Sequence, residues 1–240
     1  MVAIYEPKGR ALEYAPLACN LYRGCGHRCT YCYAPNVLRE DREKFHASIA
    51  PRPRILAELE KDAAKLHGDP RRVLLSFTSD PYQPANEEFK LTRQAIEILH
   101  SHGLCVEILS KGGMRATQDF DLLGERDRVA ATLTSVTGPV SHEWEPGAAS
   151  PGERVKYLKE AKRQGLVTWA SLEPVLDPEQ SLEIIRRCHP FIDKFKVGTL
   201  NHHPVAKTID WKKFGNDAVA LLEELGCDYY IKKDLREAIG

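Results

Sequence analysis

Between residues 72 and 197 the chain repeats one pattern: a short apolar run, a turn, then a segment whose apolar residues recur at helical spacing. The apolar runs fall at 72–78, 104–110, 128–134, 166–172 and 191–197, and a shorter one at 17–21 precedes them. Helices are expected near 54–67, 87–102, 115–123, 151–164, 178–188 and 209–225, with Gly68, Gly103 and Gly165 as stops. Strands alternating with helices imply right-handed βαβ units and a parallel sheet. Six repeats are too few for a closed eight-stranded barrel. The expected fold is therefore α/β, a partial, open (β/α)6 TIM-like barrel in one domain over residues 17–240, with 1–16 as an extended lead-in. Residues 229–231 offer a seventh short strand before a terminal helix.

In parallel α/β folds chemistry sits at the carboxyl ends of the strands. The first strand ends in Tyr22-Arg-Gly-Cys-Gly-His-Arg-Cys-Thr-Tyr-Cys-Tyr-Ala-Pro35, which places Cys25, Cys29 and Cys32 in a C-x3-C-x2-C spacing. Thiolates this close can converge on one soft metal centre from a single loop. Three ligands to a four-iron cluster leave one iron open, and an open position is what a catalytic metal site keeps. The spacing thus points to a [4Fe-4S] cluster whose free iron chelates S-adenosylmethionine (SAM), splitting it to methionine and a 5′-deoxyadenosyl radical. The competing reading is zinc, with His27 or His46 as fourth ligand. Zinc motifs usually add a second, distant cysteine pair, whereas Cys19, Cys105, Cys188 and Cys227 are all single.

Seven cysteines without a disulfide-like framework suit a reducing compartment. No apolar run approaches the ~18 residues of a membrane span, and Met1-Val-Ala-Ile-Tyr-Glu6 does not read as a secretion signal. A cytoplasmic monomer is expected. The net charge of zero argues against a chain coated for nucleic-acid backbone. Charge is uneven, however: residues 1–54 carry nine Lys or Arg against five Asp or Glu, a basic rim around the cysteine loop suited to an anionic substrate or simply to solvent.

The other strand ends supply polar groups. Ser76, Thr78 and Asp80 follow the second strand, as donors and acceptors for a ligand's amine and hydroxyls. Lys111, before Gly112 and Gly113, suits a carboxylate. Thr132 and Thr134 share a face of the fourth strand. Ser171 and Glu173 end the fifth, Lys196 the sixth, and Asn201-His-His-Pro204 follows.

The cysteine spacing, with Tyr31 between the second and third cysteines, resembles the radical SAM superfamily. The stretches Tyr22-Arg-Gly-Cys25, Tyr31-Cys-Tyr-Ala34, Thr78-Ser-Asp-Pro-Tyr-Gln-Pro84, Leu91-Thr-Arg93, Leu109-Ser-Lys111, Asp119-Phe-Asp-Leu-Leu123 and Glu173-Pro174 resemble its spore photoproduct lyase-like (DNA repair photolyase-like) branch. The resemblance implies that Lys111 and Thr132 contact SAM, that backbone near Leu172 meets the adenosine, and that Tyr31 and Tyr33 lie beside cofactor and radical. It also implies a flavodoxin, ferredoxin or reductase as electron donor and a nucleic acid or nucleotide as substrate. One departure stands out. The branch's lyases carry a hydrogen-donating cysteine immediately before Thr-Ser-Asp, and this chain has Phe77. Tyr82 or Tyr31 is then the expected hydrogen relay. Two alternatives stay open: radical modification of a small molecule or peptide, and a non-catalytic metal-binding adaptor.

Overall fold

The computed structural model describes residues 2–201 and 203–240. One sheet takes in eight strands: β1 (Ile4–Tyr5), β2 (Leu17–Cys19), β5 (Arg72–Leu75), β6 (Cys105–Ser110), β7 (Arg128–Thr132), β8 (Val167–Leu172), β9 (Lys194–Val197) and β10 (Tyr229–Ile231), in that spatial order. A separate ribbon pairs β3 (Tyr22–Arg23) with β4 (Ala50–Pro51). From β2 to β10 every neighbouring pair is parallel, and only β1 runs antiparallel to β2. β1 and β10 are the two edges, so the barrel is partial and open, with the last strand as its seventh parallel member.

Alternation divides the strand residues between two layers. Val73, Leu75, Val106, Ile108, Val129, Ala131, Phe195 and Val197 belong to one large core under the helices. Each fully buried Val, Leu or Ile there is worth about 1.5–3 kcal/mol over exposure. Such strands, covered on both faces, read as continuous apolar runs. The inner face is smaller and more polar. Ala18 and Leu74 pack with Tyr14, Phe77 and Leu109, while Lys196 lies 4.3 Å over the Trp169 ring and 3.7 Å from Glu107.

Two expected helices differ. That near 115–123 is a 3-10 helix, Gly113–Leu122. The helix near 87–102 is two, Ala85–Phe89 and Leu91–Ser101, because Lys90 adopts a left-handed φ of 50° that ends the first. Residues 36–50, which carry no clear periodicity, contain the short helices Ala34–Leu38 and Arg42–Ala47, the second capped by Asp41 on the Lys44 amide.

The lead-in is not simply extended. After β1 it forms a 3-10 turn, Gly9–Glu13, and crosses to the opposite edge of the sheet. Glu13 accepts from the Tyr230 hydroxyl at 3.0 Å and from the Lys233 amide at 2.7 Å. Arg10 pairs with Asp234 at 2.6 Å, and Lys196 donates to the Tyr14 carbonyl at 2.6 Å. This strap ties the first strands to the last across the open side.

Candidate active site at the carboxyl ends of the strands

A cavity of about 810 Å³ opens at the carboxyl ends of the parallel strands. Cys25, Cys29 and Cys32, all free thiols, line one wall together with Tyr31 and Lys111. The cysteine loop is held by its own carbonyls. His46 bonds the Cys25 carbonyl at 2.8 Å, and Arg42 donates to those of Cys29 at 3.2 Å and Cys32 at 2.6 Å. Gln83 receives the Gly26 amide at 2.8 Å. Backbone held from outside leaves the thiols free to face inward. Burial pushes the Cys29 thiol up to about 12, with Glu145 and Cys32 adding to the rise against a lowering by Lys111, and burial raises Cys25 and Cys32 too. Three crowded thiols of this kind become thiolates when a cationic centre binds them.

Of the two histidines the zinc alternative could use, His46 spends Nδ1 on the Cys25 carbonyl and leaves Nε2 without a partner among the described residues, while His27 is not available. His27 is buried with both ring nitrogens engaged: Nδ1 lies 3.4 Å from Asp80 and Nε2 3.4 Å from Arg115. Among the described residues no three His, Cys, Asp or Glu side chains gather at single-ion spacing. The donor set is three thiols facing a roomy cavity, which fits a cluster with an open corner.

Asp80 is the hub behind this wall. One carboxylate oxygen accepts from the Tyr82 amide at 2.8 Å and the Ser110 hydroxyl at 2.7 Å; the other accepts from the Lys111 amide at 2.7 Å. Burial alone would raise its pKa, but His27 and these hydrogen bonds outweigh that and hold it below the usual carboxylate range. Asp80 lines the cavity, yet its acceptors serve the protein, so it positions Lys111. The Lys111 ammonium sits 5.7 Å over the Tyr31 ring.

Sequence reasoning missed two residues under the Tyr31 side. Glu145 accepts from the Tyr31 hydroxyl, from Thr134 at 3.0 Å and from Arg154 at 2.5 Å. Burial would raise the Glu145 pKa, but Arg154 and Lys111 overcome it and keep the carboxyl ionised. A signal for Arg154 was present. Helix Pro151–Arg163 buries Pro151, Arg154, Tyr157, Leu158 and Ala161, so a guanidinium stands on the apolar stripe. Glu145 has no comparable signal.

The other predicted residues divide. Ser76, Thr78, Thr132 and Glu173 line the cavity, and the buried hydroxyl of Ser76 has no partner among the described residues. Tyr33 lines it as well, donating to the Phe77 carbonyl at 2.8 Å. Tyr82 does not join them. Its amide turns back onto Asp80, and its ring is fully buried in the core under the helices. The side chain of Leu172 is likewise in that core, and its carbonyl accepts from Gly198 at 3.1 Å. Asn201 lines the cavity, and His202 lies outside the described residues.

The facing wall comes from the strap and the last strand. Lys8, Arg10 and Tyr14 line it with Lys232, which follows β10. Glu173 accepts from both the Tyr14 hydroxyl and the Lys232 ammonium, and that ammonium lies 3.6 Å over the Tyr14 ring. Phe77 meets Tyr14 edge-on at 5.8 Å.

The radical SAM superfamily profile matches residues 19–188. The chain belongs to the radical SAM superfamily. It is thus a radical SAM enzyme, and that family uses a [4Fe-4S] cluster and SAM as cofactors. Its characterised structural neighbours agree in fold. A spore photoproduct lyase variant with bound AdoMet and dinucleoside spore photoproduct superposes with a TM-score of 0.70 at 16% identity, covering 91% of this chain and 76% of that one. Streptococcus suis SuiB bound to the precursor peptide SuiA superposes at 0.68, also 16% identical, covering 94% of this chain and 51% of that one. In sequence, an uncharacterized protein of Methanocaldococcus jannaschii is 26% identical over 186 residues, 76% of this chain and 69% of that protein. An uncharacterized Mycobacterium tuberculosis protein is 26% identical over 179 residues, and the chain spans about half (52%) of its length. No described helix is long and apolar enough to cross a membrane.

Proposed function

We infer that Cys25, Cys29 and Cys32 hold the cluster, that Lys111 takes the SAM carboxylate, and that the reaction acts on a nucleotide or nucleic-acid substrate entering from the strap side. The observation that carries this is one cavity with two unlike walls. The cysteine wall joins three thiols to the half-buried Lys111 ammonium, which lies over an aromatic ring and, among the described residues, has no carboxylate hydrogen-bonded to it. Ser76 and Thr132 add hydroxyls beside it, suited to a ligand's ribose and amine, with the unpartnered Ser76 oxygen the clearest vacancy for a hydrogen bond. The bound cofactors supply one-electron cleavage of SAM and the hydrogen abstraction that follows. The chain supplies orientation and exclusion of water.

The facing wall supports the substrate class. Phe77 and Tyr33 line the cavity as aromatics beside Tyr14, whose ring already carries Lys232, and Lys8 and Arg10 bring cations to the rim. Aromatic faces that stack a base, with cations near the backbone, are how single-stranded nucleic acids are held. A flipped or unpaired base fits such a mouth. Tyr31 and Tyr33 stand at the junction of the two walls and are the hydrogen relay in this reading; buried Tyr82 is not.

The test is anaerobic reconstitution with iron and sulfide, then SAM cleavage with dithionite, for wild type and Cys29→Ala. Iron near four per chain and 5′-deoxyadenosine from wild type alone are expected. Oligonucleotides should accelerate that turnover. Acceleration by peptides or metabolites instead would move the substrate to the second enzyme class, and one zinc with no cleavage would remove the reading.

A further inference from the structure

Glu145 and Arg154 are each about 1% exposed, an ion pair sealed from water beneath the cysteine wall. A buried ion pair is weak evidence for stability, since apolar replacements of similar size are often neutral. What distinguishes this one is the set of groups it joins. Arg154 donates to the carbonyls of Ala149 at 2.9 Å and Thr132 at 3.0 Å, and to Glu145. Ala149 in turn gives its amide to the Lys111 carbonyl at 2.9 Å. Glu145 accepts Thr134 and the hydroxyl of Tyr31. Its flanking backbone holds the cysteine loop directly: the Trp144 carbonyl accepts the Thr30 amide, and the Gly147 amide donates to the His27 carbonyl, both at 2.9 Å.

Local sequence fixes where the guanidinium stands. Ser150 caps helix Pro151–Arg163 in a capping box with Glu153, and Pro151 opens the first turn. Arg154 follows Glu153, on the buried stripe and within reach of the Thr132 carbonyl at a strand end.

We propose that Glu145 and Arg154 are a positioning pair for SAM. They lock the Tyr31 hydroxyl and, through Ala149 and Thr132, set Tyr31, Lys111 and Thr132 in one register against the cysteines. This rests on the reading that the cysteine wall binds the cluster and SAM. Neither residue lines the cavity, so the pair acts only through the residues that do. Hydrogen bonds to a charged acceptor are stronger than neutral ones and hold a ring at one angle. Freed from Glu145, the Tyr31 ring keeps only weaker contacts, the Lys111 ammonium 5.7 Å over it and Trp144 at 6.5 Å.

The test compares wild type, E145L/R154M, Tyr31→Phe and the triple variant, all reconstituted with iron and sulfide. Four quantities are measured: melting temperature, iron per chain, SAM affinity by equilibrium dialysis, and the electron paramagnetic resonance spectrum of the reduced cluster with and without SAM. The double variant should keep its iron while binding SAM about tenfold more weakly. The change that SAM induces in its spectrum should shrink. Tyr31→Phe should lose a similar factor, and the triple variant no more than either, because all three remove the same constraint. Wild-type affinity in the double variant, or losses that multiply in the triple, would overturn the proposal. If the double variant does not fold, Tyr31→Phe decides alone, since it leaves the ion pair intact: undiminished SAM affinity there ends the proposal. A wild type that binds no SAM removes the parent reading and this one with it, whereas wild-type binding with unchanged variants removes only this one.

Discussion

On the cysteine side of the cavity, the carbonyls of all three thiol-bearing residues are gripped by side chains from outside the loop, and Asp80, Glu145 and Arg154 close ranks behind it. Across the cavity, the facing wall is assembled from residues 8–14 and 232, brought together by polar contacts spanning most of the chain. The family match, residues 19–188, takes in the first wall and stops short of Lys232. The two walls therefore do different work. The first is held by hydrogen bonds from several elements, as the proposed cluster and SAM site would need to keep its ligands in one geometry. The second is a polar closure: its Arg10–Asp234 pair sits partly in water, where a pair is worth little alone, while Lys232–Glu173 is largely buried.

The largest effect should come from crowding the rigid wall. A Cβ on Gly147 would stand 2.2 Å from the Gly26 carbonyl and 3.0 Å from the His27 Cα, both backbone and neither able to swing away. Gly147→Ala should lower the melting temperature by roughly 5–10 °C, since overpacking of a tight contact costs about 1–3 kcal/mol or more. It should also cut iron uptake on reconstitution, because the atom displaced belongs to the cysteine loop. Normal iron content in this variant would show the loop to be less constrained than its contacts indicate.

Lys111→Ala comes next. Loss of solvent would lower the pKa of this half-buried side chain, but Cys29 and Glu145 outweigh that and raise it. Among the described residues no carboxylate hydrogen-bonds to it, and in the proposed reading it takes the SAM carboxylate. Removing it should weaken SAM binding by at least about tenfold while leaving iron content near wild type. Equilibrium dialysis of the reconstituted protein measures this, and unchanged affinity would favour the non-catalytic adaptor.

The same contrast explains what the sequence revealed. All seven parallel strands were legible, because strands covered on both faces are written as continuous apolar runs. The cysteine loop was legible because its ligands are neighbours in sequence. The strap was not. Glu13, Tyr14 and Arg10 find partners at Tyr230, Glu173, Lys232 and Asp234, and no local periodicity reports polar contacts between chain ends. Tyr82 misled for a different reason. It follows Asp80 at a strand end, but the Asp80 carboxylate captures its amide, and that turn sends the ring into the outer core. Arg154 stood on a helix stripe that was otherwise apolar, where its burial was readable but its purpose was not.

Tyr14→Phe tests the facing wall. It removes one hydrogen bond to Glu173 and leaves Lys232 paired, so SAM affinity should change less than about twofold, while amide exchange in residues 8–14 should quicken. It also has a pH signature. Burial first, then the Glu173 carboxylate, raises the Tyr14 pKa well above its ordinary 10.0. Above pH 10 the unfolded chain releases this proton and the native state keeps it, so native stability falls as pH rises past 10. Wild type should therefore lose stability more steeply than Tyr14→Phe between pH 10 and 11 in chemical denaturation. Parallel curves would mean that the phenol is not held as described.

Gly9→Ala should give the smallest change and completes the comparison with Gly147. Gly9 opens the strap turn at φ +61°, and nothing lies within 4 Å of where its Cβ would be. The added methyl meets no neighbour, so the cost is only that of an L-residue in the left-handed region, about 1 kcal/mol. That corresponds to roughly 2–4 °C in a chain of this size. Iron content and SAM affinity should remain at wild-type values, because the strain stays at Gly9, where the added Cβ meets no neighbour. The same chemical change thus separates the walls: at Gly147 a methyl strikes backbone and the metal site registers it, and at Gly9 only the fold does. If Gly9→Ala reduced SAM affinity as well, the strap would have to be counted as part of the rigid wall, and the division between the two would fail.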